Sequence, residues 1–196
     1  PASREQAVVE QLFYEVKKHE RDLGLLALFE HHRPRNAMVF CNTKQQCAEV
    51  ARFLRQHDIE AAAIHGDLDQ RERDQVLLQF ANDSCPVLVA SDVAARGLDI
   101  PLLAMGVNYE VPRDADTYVH RIGRTGRAGR SGRAFTLATP SDGVYVDSIE
   151  KLIGNPIPRI DIGGQATELL EEGKGRKRGR SSRGRGKISD GTPRNK

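Results

Sequence analysis

The sequence predicts an α/β fold: a doubly wound, mostly parallel sheet with helices on both faces, followed by a disordered basic tail. Three observations carry this. Short runs of almost continuous apolar residues recur along the chain, as strands covered on both faces require. Longer amphipathic stretches lie between them, at the spacing of right-handed crossover helices. From Lys174 onward the chain is low in complexity and has little apolar surface to bury.

The elements follow in order. The stretch 20–32 (ERDLGLLALFEHH) reads as a helix before the first strand, 37–42 (AMVFCN). The helix 44–58 puts Cys47, Val50, Ala51 and Leu54 on one face. A strand at 61–65 leads to a helix at 69–82, with Val76, Leu77 and Phe80 inward. Strands follow at 86–91 and 104–109, then a helix at 114–122, a strand at 133–138 and a helix at 141–153. Ser or Asp opens each of these last helices as an N-cap. Pro156 and Pro158 stop the last one. Val50, Leu54, Leu77, Phe80, Ile149 and Leu152 are the expected core. The body is expected to occupy 1–162, with 163–196 as linker and tail.

Composition bounds the function. The 196 residues are 38% apolar and 29% charged, enough for one packed domain and a polar extension. No apolar run is long enough to span a bilayer and no signal pattern opens the chain, so no membrane partner is expected. Cys41, Cys47 and Cys85 form no metal-ligand pattern; they are expected to be ordinary reduced thiols in a cytoplasmic protein, with no metal. The net charge of +3 is uneven: residues 174–196 carry ten Lys/Arg against one Asp, +9, which leaves −6 on the rest. Such a tail suits RNA, or equally another phosphate-bearing surface or plain solvation.

The most informative stretch is "YVHRIGRTGRAGRSGRAF" (118–135). Arginines at 121, 124, 127, 130 and 133 alternate with glycines at 123, 126, 129 and 132. Spacing alone fits a solvated basic loop. It fits equally a folded loop whose glycines let the backbone approach a ligand, with guanidiniums aimed at phosphate oxygens. The stretch follows a helix and runs into a strand, which places it inside the body.

Other segments add a resemblance. "HRIGRTGR" (120–127), "VLVASDVAARGLDIP" (87–101), "MVFCNTK" (38–44) and "HGDLDQRERD" (65–74) resemble, in order, motifs VI, V, IV and the following element of the DEAD-box ATP-dependent RNA helicases. The similarity covers about residues 5–160 and implies the C-terminal, RecA-like domain of that family. "HGDLDQRERDQ" and "FANDS" are similar to its bacterial DbpA-like branch, and the basic RG tail to RhlE- or RhlB-like members. That implies a bacterial role in ribosome assembly or RNA metabolism.

The resemblance assigns roles residue by residue. Arg124 and Arg127 match arginine fingers that reach the γ-phosphate of ATP across a closed cleft. Such a finger is worth roughly 10³–10⁵ in rate in phosphoryl-transfer enzymes. His120 and Arg121 match links to the first domain; a helix-end His and a solvated Arg are the plainer reading. Asp99 matches a ribose contact, though Asp before a Pro-containing turn is also common. Arg96 and Gly97 match interdomain and close-backbone positions, and Asp92 fits an N-cap equally well. RNA phosphates are expected at Ser91, Arg73, Gly66 and Thr43, with Gln70 orienting Arg73. Asn42, Thr43 and Lys44 suit capping of the next helix as readily, and His65 reads as structural. Contacts of this kind give sequence-independent RNA binding.

No GxxxxGK[ST] phosphate loop and no Asp-Glu-Ala-Asp sequence occurs in the chain. ATP and Mg2+ are therefore expected to be held mainly by an N-terminal RecA-like domain of the same protein, and this segment alone is expected to be inactive. A stand-alone RNA-binding module and a DNA helicase of the same superfamily are the competing functions.

Overall fold

The computed structural model describes residues 9–98, 100, 102–125 and 132–161. In chain order the main elements are β1 (Val9–Glu15), α1 (Arg21–His32), β2 (Ala37–Phe40), α2 (Lys44–Gln56), β3 (Ala61–Ile64), α3 (Gln70–Ala81) and β4 (Val87–Ala90). Then come α4 (Asp92–Ala95), β5 (Met105–Asn108), α5 (Ala115–Ile122), β6 (Gly132–Ala138), α6 (Gly143–Ile153) and β7 (Arg159–Ile160). The seven strands form one sheet in the order β3-β4-β2-β5-β6-β1-β7. Every pairing in it is parallel.

Parallel pairing explains the apolar runs. All four residues of β2, β4 and β5 are buried, because helices cover both faces. Alternate side chains serve opposite layers. Val39, Val87 and Val89 face α1 and α2, packing with Leu25, Leu28, Val50 and Leu54. Met38, Phe40, Leu88 and Ala90 face the other way, with Phe80, Ala94 and Leu103. Phe13, Tyr118, Val146 and Ile149 extend that second layer under α5 and α6.

Four expectations need correction. The strand β1 was not anticipated: Glu10, Gln11 and Glu15 break its apolar pattern, yet Phe13 and Tyr14 are buried at 0% and 6% exposure. It lies between β6 and β7, with Glu10 opposite Arg133. The two-residue β7 was also missed, being too short to show a period. Leu152 is 51% exposed on the outer face of α6, and Leu77 is only partly buried. Finally, α6 ends before either proline, at Gly154, whose φ of 83° gives the left-handed cap that glycine adopts at no steric cost.

Caps fix the helix starts. Asp69 and Glu72 form a reciprocal capping box on α3. Asp114 caps α5. Ahead of α6 the box runs between Thr139 and Asp142 rather than from Ser141. The expected boundary at 162/163 and the basic tail lie outside the described residues.

Candidate functional site

Topology creates the site. β2 lies between β4 and β5, but its own crossover helix α2 packs on the opposite face. On the second face, α4 follows β4 and α5 follows β5, so Phe40 of β2 is left as the floor between them. A crevice where crossovers part to opposite sides is where open α/β sheets bind ligands. Here it is a cleft of about 510 Å³, lined among others by Phe40, Asp92, Arg96, His120, Arg121 and Arg124.

Arg121 is the most tightly held of these. Its Nε donates to Asp92 Oδ1 at 2.7 Å and its Nη2 to Asp92 Oδ2 at 2.6 Å. Its Nη1 donates to Asn108 Oδ1 at 3.0 Å, and Nη2 also reaches Asn42 Oδ1 at 3.4 Å. The guanidinium carbon stands 5.2 Å from the Phe40 ring centroid, a cation–π contact. At 4% exposure Arg121 is not the solvated arginine of the plainer reading. Asp92 is not the N-cap either. Ser91 is the cap of α4, accepting from Ala94 N at 3.4 Å.

Arg124 is held differently. One turn beyond Arg121, it is half-buried and its Nη2 donates to Ala95 O at 2.8 Å. Arg73, from α3, donates from Nη2 to the neighbouring carbonyl, Ala94 O, at 3.4 Å. The short α4 thus receives guanidiniums from both sides, as the carbonyl end of a helix favours. His120 and Arg96 are exposed at the cleft mouth. Gly97 has φ 70° with open space around it, so its backbone conformation is what requires glycine there.

The remaining RNA candidates lie along the carboxyl edge of the sheet. Thr43 caps α2, accepting from Gln46 N at 3.2 Å. Lys44 pairs with Asp67 at 3.1 Å, joining the start of α2 to the loop after β3. His65 Nδ1 accepts from Asp67 N at 3.2 Å, a turn-forming role. At Gly66 an added Cβ would meet nothing within 4 Å. Gln70 does not orient Arg73: its Nε2 donates to Asp74 Oδ1 at 2.8 Å on its own helix. Asp99 and Arg127 lie outside the described residues.

Asn108 and Glu110 carry no sequence expectation as site residues, and Asn42, expected at the strand end or as a cap, instead joins their network. Asn42 Nδ2 donates to Glu110 Oε2 at 2.8 Å, and Gln46 binds the other oxygen of the same carboxylate. Arg21 flanks Glu110 at 3.6 Å and Asp142 at 3.9 Å. Beside them Tyr109 donates to Asp22 at 2.5 Å; burial, then that carboxylate, pushes its phenol pKa up. Cys41, Cys47 and Cys85 are buried free thiols, and no metal-binding cluster occurs among the described residues. No helix among the described residues is long and apolar enough to cross a membrane.

Residues 19–129, which include the cleft side chains named above, match the family model of the helicase conserved C-terminal domain. The chain belongs to this family. It is 46% identical over 145 residues to the ATP-dependent RNA helicase DbpA of Escherichia coli, covering 74% of this chain and 32% of that protein. The chain thus spans about a third of the length of that relative. Among solved structures, the E. coli DEAD-box protein SrmB, bound to the regulator of ribonuclease activity A, superposes with a TM-score of 0.73 at 34% identity. The match covers 78% of this chain and 90% of that one. The C-terminal domain of the DEAD-box protein Dbp5 gives 0.73 at 29% identity, over 86% and 96%. The doubly wound sheet of this helicase C-terminal domain is therefore the RecA-like fold of DEAD-box C-terminal domains.

Proposed function

We propose that this chain is the second RecA-like domain of an ATP-dependent DEAD-box RNA helicase. In this reading residues 1–162 form the domain and 163–196 a basic tail that anchors RNA electrostatically, in the cytoplasm of a bacterial cell. ATP with Mg2+ sits mainly on the partner RecA-like domain, and closure on RNA brings Arg124 and Arg127 to the γ-phosphate. Asp99 takes the ribose, while Arg96, Gly97 and His120 face the partner domain. Ser91, Arg73, Gly66 and Thr43 face the RNA backbone.

The observation that carries this reading is Arg124. Its guanidinium lies at the wall of an open cleft, on a helix end whose preceding turn is anchored in the sheet. A preorganised cation there can stabilise the charge that develops on a transferring phosphoryl group without reorganising water. Ser91 and Thr43 support the RNA side. Each cap uses an oxygen lone pair, leaving the hydroxyl hydrogen to donate to a phosphate oxygen.

The test is RNA-stimulated ATPase in the complete enzyme, wild type beside Arg124→Ala. The expected outcome is a drop in kcat of about 10³ or more with folding intact. An unchanged kcat would show that Arg124 is not the finger.

A further inference from the structure

Asn108 ends β5 and Thr136 lies opposite it on β6, in direct register. Both are nearly closed to solvent, at 4% and 1% exposure. Asn108 Oδ1 accepts from Arg121 Nη1 at 3.0 Å, and Asn108 Nδ2 donates to Thr136 Oγ1 at 3.0 Å. The orientation of this amide follows from chemistry. A guanidinium can only donate, so the amide must turn its oxygen to Arg121 and its NH2 to Thr136. The Thr136 hydroxyl then accepts from Asn108 and is left to donate onward. On α5, one turn before Arg121, Tyr118 is anchored separately, its hydroxyl donating to Gln11 Oε1 at 2.9 Å.

Four residues are joined in one run: Thr136, Asn108, Arg121 and Asp92. This run meets α5 at Arg121, and the Tyr118–Gln11 bond holds the same helix at a second point. Beyond Arg121 the backbone continues its turn, with Arg124 N bonded to Arg121 O at 3.3 Å and Thr125 N to Ile122 O at 2.8 Å. Movement of the Arg121 end of α5 is thereby transmitted to Arg124.

We propose that Asn108, with its amide oriented by Thr136, is a positioning residue for phosphoryl transfer: it holds Arg121, and through the end of α5 the guanidinium of Arg124, at the distance from α4 that closure requires. The proposal rests on the reading of Arg124 as the finger. Neither Asn108 nor Thr136 lines the cleft, so their effect is expected on rate rather than on binding. A misplacement near 1 Å at a reacting centre is enough to cost about 10²-fold.

The experiment compares Thr136→Val, Thr136→Ser and Asn108→Leu with Arg124→Ala in the complete enzyme, by RNA-stimulated ATPase and by thermal melting. Val matches Thr in shape but cannot accept from the amide. Ser keeps the acceptor. Thr136→Val and Asn108→Leu are expected to lower kcat by about 10²-fold with KM for ATP and RNA within about twofold of wild type, while Thr136→Ser keeps wild-type kcat. If Asn108→Leu fails to fold, the Val and Ser pair decides. A normal kcat in Thr136→Val beside a crippled Arg124→Ala overturns the positioning role and leaves the finger intact. Equal losses in Thr136→Val and Thr136→Ser also overturn it. A normal kcat in Arg124→Ala overturns both.

Discussion

Arg121 and Arg124 belong to one short motif, three residues apart on the same helix end, yet the protein treats them in opposite ways. Arg121 is 4% exposed and gives its donors to Asp92, Asn108 and Asn42 over an aromatic ring. Arg124 is half-buried and, among the described residues, rests on one backbone carbonyl. A buried guanidinium is stable only when its charge and donors are all met, which makes it a brace. A guanidinium with one neutral partner can exchange that partner for a phosphate at small cost. A repeating run of arginines thus divides into fixed and exchangeable positions, and the division follows from which side of the helix end faces the sheet.

Breaking the brace should give the largest effect on stability. Arg121→Ala strands Asn108 and leaves Asp92 without its cation, and is expected to destabilise the domain by about 3 kcal/mol, the lower end for a broken buried pair because Asp92 is partly exposed. Urea melts would show it. Arg121→Lys is expected to recover little, since one ammonium cannot reproduce the bidentate bond to Asp92 and the bond to Asn108 together. A stable Arg121→Ala would erase the distinction between the two arginines.

A smaller effect sharpens the α4 side of the cleft. Gly97→Ala places a side chain at φ 70° in open space, so it should cost about 1 kcal/mol through backbone conformation alone. A loss well beyond that, in the same melts, would mean that the loop after α4 is under packing constraints as well.

The smallest effect concerns a third arginine of the same run. Arg133 Nη1 donates to His32 Nδ1 at 2.7 Å at the amino edge of the sheet, and Arg133 also pairs with Glu10 at 3.4 Å. Burial first, then Arg133 and His31, lower the His32 pKa against a smaller opposing pull from Glu10. The unfolded chain therefore protonates His32 first as pH falls below about 6.5. Stability is expected to decline from there down to the lowered folded-state value and to level off below it. Melts of wild type and His32→Gln at about pH 7.5 and about pH 5.5 should show a slope that the variant lacks. Equal slopes would remove His32 from the account.

These contrasts also show where sequence reading succeeds and where it stops. The strands β2, β4 and β5 are legible because burial on both faces leaves an unbroken apolar run. The edge region β1 is not, because Glu10 and Gln11 interrupt its pattern while its partners stand more than a hundred residues away. Among the site candidates, Thr43 as a cap is a local feature legible from residue type, whereas α4 is capped by Ser91 and not by its equally suitable neighbour Asp92. The bond from Arg121 to Asp92 joins residues 29 apart, and no spacing rule distinguishes it from a solvated arginine beside a capping aspartate. Gln70 bonds Asp74 rather than the expected Arg73; both lie within one turn of it on the helix, and spacing does not choose between them.

The central claim is that Arg121 is fixed and Arg124 is exchangeable. The most direct test is the hydrogen-exchange rate of the two guanidinium Nε–H groups, resolved by 15N NMR on the 196-residue chain itself. The account predicts that the Arg121 Nε–H, bonded to Asp92, is protected by orders of magnitude, while that of Arg124 exchanges near the solvent rate. Arg124 as protected as Arg121, or both exchanging freely, would contradict it.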